Sequence, residues 1–191
     1  MKIMVQIILG LVLFTLTACV NNKQLMPNAM FKVADIASAG SFRMTGKMSF
    51  SDGQEGGSGQ VEWQQNGDAL TLILKAPLSK RSWTLTESTQ GAKLVSSRGD
   101  EVYADSASRL ISNEVGWPVP WDALKLWLVG KMTEEGQSYI EPEKQTVMTQ
   151  DLGWEIKYSN MKEYNSEYLP HKIIARKGDY SIKLSVKVWQ W

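Results

Sequence analysis

The stretch Tyr180-Ser181-Ile182-Lys183-Leu184-Ser185-Val186-Lys187-Val188 decides the fold class, because Tyr180, Ile182, Leu184, Val186 and Val188 alternate with Ser181, Lys183, Ser185 and Lys187. A period of two lines apolar side chains along one face of an extended strand, whereas a helix would scatter them round its axis. The pattern recurs near the other end, where Phe42, Met44, Met48 and Phe50 alternate with Arg43, Thr45, Lys47 and Ser49. Working outward, further β-rich runs are expected at Gly59 to Gln65, Ala69 to Ala76, Arg81 to Glu87, Lys93 to Ser97 and Glu101 to Ala104. Another group follows at Gln137 to Glu141, Gln145 to Gln150, Gly153 to Ser159 and Leu169 to Arg176. Asp52 to Ser58 reads as a flexible hairpin loop, and Asn66-Gly67-Asp68, Thr89-Gln90-Gly91 and Arg98-Gly99-Asp100 carry turn chemistry.

Helical spacing is confined to three places. Met26, Met30, Val33 and Ala37 suit a short amphipathic helix. Asp105 can cap a helix carrying Leu110, Ile111 and Val115, which Gly116 ends. After the extended link Trp117-Pro118-Val119-Pro120, a second short helix over Trp121 to Val129 has Leu124, Trp127 and Leu128 on one side. With no alternation of strands and long helices, the expected class is mainly β: a single antiparallel, barrel-like sheet of about eleven strands, with helices against its open side.

Composition removes several functions. The 191 residues carry 21 Lys and Arg against 20 Asp and Glu, so no basic field for nucleic acid is expected. One Cys and one His exclude a disulfide within the chain, a multi-Cys metal site and a His-cluster metal site. No cofactor motif survives inspection. Gly40 to Lys47 has the wrong spacing for a phosphate loop, and Met48 stands where a Mg-binding hydroxyl is needed. Gly56-Gly57-Ser58-Gly59-Gln60 misses the last glycine of a nucleophile elbow. His171, after Pro170 and beside Lys172, reads as a solvated or hydrogen-bonded structural residue, and Glu134-Glu135 as a solvated pair. No catalytic residue is assigned, and no enzyme is expected.

The chain begins with an address. Lys2 precedes an apolar run from Ile3 to Leu16, the layout of a secretory signal and short of the roughly 20 residues that span a bilayer. Leu16-Thr17-Ala18-Cys19 resembles a bacterial lipobox, which implies cleavage before Cys19 and acylation of that residue. Residues 1–18 are then a signal peptide, 19–25 the acylated Cys and a polar tether, and 26–191 a single domain. Several acyl chains, each worth about 0.8 kcal/mol per buried CH2, hold such an anchor firmly. Val20 stands where lipoproteins of this type retained at the inner membrane carry Asp, which points to the outer membrane.

Eight Trp and a set of Met residues remain to be explained, with Trp63, Trp83 and Trp154 on apolar strand faces. Such side chains make either a well-filled core or an adaptable apolar surface, and composition does not choose between the two. The order of local signatures does. Trp63-Gln64-Gln65-Asn66-Gly67, then Leu70, Leu72 and Leu74 before Ala76-Pro77-Leu78-Ser79, resemble the LolB family of Gram-negative lipoprotein receptors. So do Gly116-Trp117-Pro118-Val119-Pro120 followed by Leu124, Trp127, Leu128 and Gly130, and later Leu169-Pro170, Ile182-Lys183-Leu184 and Trp189.

That resemblance implies an incomplete barrel whose helices form a lid over an apolar cavity. It implies a protein that accepts acylated lipoprotein clients from a LolA-like periplasmic carrier and inserts them among outer-membrane phospholipids, lipid-anchored, facing the periplasm, and as a monomer. An exposed acyl chain of roughly fifteen CH2 groups costs on the order of 12 kcal/mol, so clients need shelter in transit. With no nucleotide site, transfer would descend a ladder of affinities at about 1.4 kcal/mol per tenfold step. Leu78 takes the membrane-inserting role by the resemblance, flanked by Lys75, Lys80 and Arg81. The expected acyl-chain cavity comprises Met44, Met48, Trp63, Leu72, Leu74, Trp83, Leu85, Trp154, Ile156, Ile182, Leu184 and Val186, with Trp127 and Leu128 from the lid. A lipid-anchored carrier of free lipid or another small apolar ligand, and a hydrolase built on His171, are the competing readings.

Overall fold

The computed structural model describes residues 40–76, 79–115, 119–164 and 167–191. The expected helix from Met26 to Ala37, the anchor Cys19, the turn residue Leu78 and the link residues Gly116 to Pro118 lie outside them.

Among the described residues eleven strands form one antiparallel sheet: β1 (Ser41–Ser51), β2 (Gly56–Asn66), β3 (Ala69–Ala76), β4 (Arg81–Ser88), β5 (Gly91–Ser96), β6 (Glu101–Ala104), β7 (Gln137–Glu141), β8 (Thr146–Asp151), β9 (Trp154–Tyr164), β10 (Glu167–Lys177) and β11 (Tyr180–Gln190). Their order is β6-β5-β4-β3-β2-β1-β11-β10-β9-β8-β7, so two meanders meet at the β1–β11 pair. Among the described residues β6 and β7 are the free edges, and the barrel is open between them. The chain passes from one edge to the other through α1 (Ala107–Val115) and α2 (Trp121–Leu128). Leu110, Ala123, Leu124, Trp127 and Leu128 of these helices are buried in the core that covers one face of the sheet.

Cross-strand pairs confirm a shared inner face. Met44 lies opposite Trp63, Trp63 opposite Leu72, and Leu72 opposite Leu85. On the other side of β1, Met48 faces Leu184 and Phe50 faces Ile182, and Ile182 in turn faces Ala175. Tight turns preserve this register. Between β8 and β9 both Leu152 (φ 51°) and Gly153 (φ 75°) are left-handed, which matches the twist of the flanking strands.

Three sequence expectations are corrected. Val188 does not continue the inward series: the β1–β11 register shifts between Thr45 and Gly46, which places Val188 outward and Trp189 inward at 3% exposure. A β-bulge reverses the alternation, and Gly46 is the residue that permits it, since any Cβ there would strike the Ser185 carbonyl. Second, the expected loop Asp52 to Ser58 ends early, because Gly56, Gly57 and Ser58 belong to β2. The glycines are small there to admit neighbours, as a Cβ on Gly57 would sit 2.8 Å from the Phe50 ring. Third, Asp105 does not cap α1. Its carboxylate pairs with Arg109 at 2.8 Å, while Ser106 Oγ accepts from the Arg109 backbone N–H at 3.3 Å.

Candidate functional site

On the inner face, β1, β3, β4 and β5 present Met48, Phe50, Leu72, Leu74, Trp83, Leu85 and Leu94 to a cavity of about 330 Å³. Ile182 of β11 closes one side, and Ile111, Val119, Trp121 and Leu124 of the helical insert roof it. Glu114, exposed near the end of α1, is the one charged residue of the lining among the described residues. Most of these apolar side chains are only half-buried, because they meet open volume instead of neighbouring atoms.

The expected lining residues divide into three groups. Met48, Leu72, Leu74, Trp83, Leu85 and Ile182 border the cavity. Trp63, Trp127, Leu128 and Leu184 border a separate void of about 10 Å³ under α2, which Met48 and Ile182 also touch. Met44, Trp154, Ile156 and Val186 border neither and are buried, with Met44 and Ile156 at 0% exposure. Large rings account for the filled part: Trp127 meets Trp154 at 5.8 Å, and Trp63 stacks on Trp121 at 5.2 Å and 30°. Phe50, Leu94, Trp121 and Leu124 of the lining were not among the expected cavity residues. Phe50 shares the alternating face of Met48, so its signal was present in the sequence.

Two carboxylates tie the helical cover to the sheet. Glu87 extends the inward series Trp83, Leu85 on β4, and this charge on an apolar face is explained by its partners. It accepts from the Ala107 backbone N–H at 3.1 Å, Trp121 Nε1 at 3.1 Å and Lys125 Nζ at 3.0 Å. Burial pulls the Lys125 ammonium pKa down, but hydrogen bonds to Asp122 and Glu87 outweigh it and leave the pKa raised. At the far end of α2, Asp151 is 2% exposed and accepts from Trp127 Nε1 at 2.7 Å, from the Thr133 backbone N–H at 2.9 Å and from the Thr133 hydroxyl. Burial pushes its pKa up, yet the Thr133 and Trp127 donors more than offset this and hold it below the ordinary carboxylate value. Nothing in the sequence distinguished Asp151, since Asp151-Leu152-Gly153 reads as turn chemistry alone.

His171 lies away from the cavity. Its Nδ1 is 2.9 Å from the Val186 carbonyl and its Nε2 2.7 Å from the Tyr164 hydroxyl, and its ring stacks on Tyr164. Both ring nitrogens are engaged in joining β9, β10 and β11. Among the described residues no group of three His, Cys, Asp or Glu side chains gathers as a metal site.

The geometry defines a class: an open antiparallel barrel whose covered face holds an apolar pocket beneath two tethered helices. Residues 40–189 match the family described as outer membrane lipoprotein LolB, and the chain belongs to that family. It is 30% identical over 147 residues to the outer-membrane lipoprotein LolB of Xylella fastidiosa (strain 9a5c), covering 75% of this chain and 68% of that one. The corresponding protein of Alkalilimnicola ehrlichii is 26% identical over 190 residues, covering 96% and 95% of the two chains. Among solved structures, a LolA superfamily protein from Nitrosomonas europaea is similar at a TM-score of 0.48 and 10% identity, over 78% of this chain and 85% of that one. Membership assigns a non-enzymatic role in lipoprotein localisation at the outer membrane.

Proposed function

We propose that this protein takes acylated lipoproteins from a LolA-like periplasmic carrier into its apolar cavity and inserts them into the outer membrane. The observation that carries the reading is the cavity of about 330 Å³ with an almost wholly apolar lining under a helical cover. Ligand sites commonly run from about 300 to 1,000 Å³, so the resting cavity suits part of a client's lipid, and three chains require α1 and α2 to move outward. The competing His171 hydrolase finds no support, because both ring nitrogens are engaged away from the cavity.

In this reading residues 1–18 are removed, acylated Cys19 with the 19–25 tether holds the 26–191 domain as a monomer on the periplasmic face of the outer membrane, and Leu78 enters the bilayer during release. Met48, Leu72, Leu74, Trp83, Leu85 and Ile182 contact the chains at rest; Trp63, Trp127, Leu128 and Leu184 join them as the cover lifts. Met44, Trp154, Ile156 and Val186 are packed core beside the cavity and do not contact the chains at rest. The test is transfer of a radiolabelled acylated client from carrier to this protein and onward to vesicles. Leu72→Glu should abolish acceptance, and Leu78→Glu should permit acceptance but stop delivery. Acceptance by the Leu72→Glu protein at the normal rate would overturn the assignment of the cavity.

A further inference from the structure

The face of the sheet opposite the helices bears an ordered field of lysines. Cross-strand pairing lays out one row as Lys75, Gln60, Lys47, Ser185, Lys172 and Ser159, from β3 through β2, β1, β11 and β10 to β9. A parallel row runs Ser58, Ser49, Lys183, Ile174 and Lys157. In each row lysines fall on alternate strands, separated by small or uncharged residues, so direct cross-strand repulsion is avoided. At about 4.8 Å per strand their heads stand about 10 Å apart, comparable with the screening length at physiological salt, and their fields overlap.

Lys47, Lys75, Lys172 and Lys183 are exposed, as is Lys187 in the bulge, and among the described residues none of the five has an ion-pair partner. Lys47, Lys75, Lys162 and Lys187 also line a groove of about 650 Å³, whose one carboxylate among the described residues, Glu62, is taken by Arg43 at 2.7 Å. The whole chain is nearly neutral, so this face is a segregated charge.

We propose that this face docks on the anionic head groups of a phospholipid bilayer. Protein partners are gripped by buried aromatic and Arg anchors. Neither row has one. Spaced ammonium groups on flexible stems instead match a fluid array of phosphates. Lys75 stands one residue before the end of β3, Arg81 opens β4 and Lys80 immediately precedes it, so one docking event would bring this end of the β3–β4 pair to the lipid surface. The inference rests on the proposed function only in placing the chain at a membrane.

The test reconstitutes the acylated full chain into vesicles of phosphatidylethanolamine, with or without about a third phosphatidylglycerol, and follows acetylation of each lysine by mass spectrometry. Lys47, Lys75 and Lys172 should react about tenfold more slowly on the anionic vesicles, and Lys125 of α2, on the helical side of the sheet, equally on both. The protection should vanish near 0.5 M salt, where the screening length falls to about 4 Å. In K47Q/K75Q/K172Q, which changes only exposed positions, Lys183 should lose its protection too. Equal reaction on the two vesicles overturns the proposal. So does protection by glycerol phosphate on neutral vesicles, which would mark a small-anion site, or protection only after carrier is added, which would mark a protein site. Client acceptance, measured on the same samples, separates failure of this docking face from failure of the cavity reading.

Discussion

The two halves of the sheet follow the same alternating rule and reach different interiors. On the N-terminal side Leu72, Leu74, Trp83 and Leu94 point inward yet stay half-buried around the cavity. On the C-terminal side Val147, Thr149, Trp154, Ile156, Tyr158 and Leu169 point inward and are buried, with Ile156 and Leu169 at 0% exposure. Trp127 reaches the C-terminal half, touches Trp154 and fills the space, whereas the parts of α1 and α2 above β3 to β5 leave a gap. One half is a foundation and the other a container. The clamps differ likewise, Asp151 being sealed in and Glu87 sitting nearer to solvent at 12% side-chain exposure.

The largest test of this contrast is truncation of one Trp on each side. Trp127→Ala should lower unfolding free energy by about 3–5 kcal/mol in urea titrations, because its removal opens a hole in packed surroundings. Trp83→Ala should cost only about 1 kcal/mol, since its ring already borders empty volume, while weakening binding of an apolar fluorescent probe. Equal losses would erase the distinction between the halves.

The clamps give the next effects. Asp151→Ala strands the Trp127 and Thr133 donors and should cost about 2–3 kcal/mol in the same titrations. Glu87→Ala should cost about 1 kcal/mol overall. Hydrogen exchange should then quicken in α1 and α2 while β8 to β11 stay protected, which identifies the Glu87 end as the one that opens. Exchange that quickens uniformly across the molecule would argue against a hinged cover.

The smallest effect concerns pH. Burial first, and then the charge of Lys162, lower the pKa of His171 below 6.5, although the Val186 carbonyl opposes the shift. The folded protein therefore resists a proton that the unfolded chain accepts, and stability is full above about pH 6.5 and falls as pH drops below it. His171→Gln should flatten the stability profile below about pH 6.5 in thermal melts. An unchanged slope would show that other groups govern that window.

Much of the fold was legible because period-two alternation is a local property. The strands around Phe42 to Phe50 and Tyr180 to Val188 declare their faces without reference to the remainder of the chain. Legibility failed where a neighbouring strand intruded. The β1 bulge turned Val188 outward, and the Phe50 ring turned a glycine run that reads as slack into the start of β2. In the site, Met48 and Leu72 were identifiable as inward-facing, but the difference between bordering a cavity and filling a core, which separates Trp83 from Trp154, depends on the height of the helices above the sheet.

By itself the sequence determined the antiparallel class, the helical interruption near residues 107–128 and the apolar character of one sheet face, since each follows from side-chain spacing over a few residues. Tertiary structure alone decided that the cavity lies over β3 to β5, that Glu87 and Asp151 tether its cover, and that lysines from five strands assemble into one field on the outer face. These features join residues tens of positions apart, and only packing of rigid elements of particular size fixes how close such residues come and what volume is left between them.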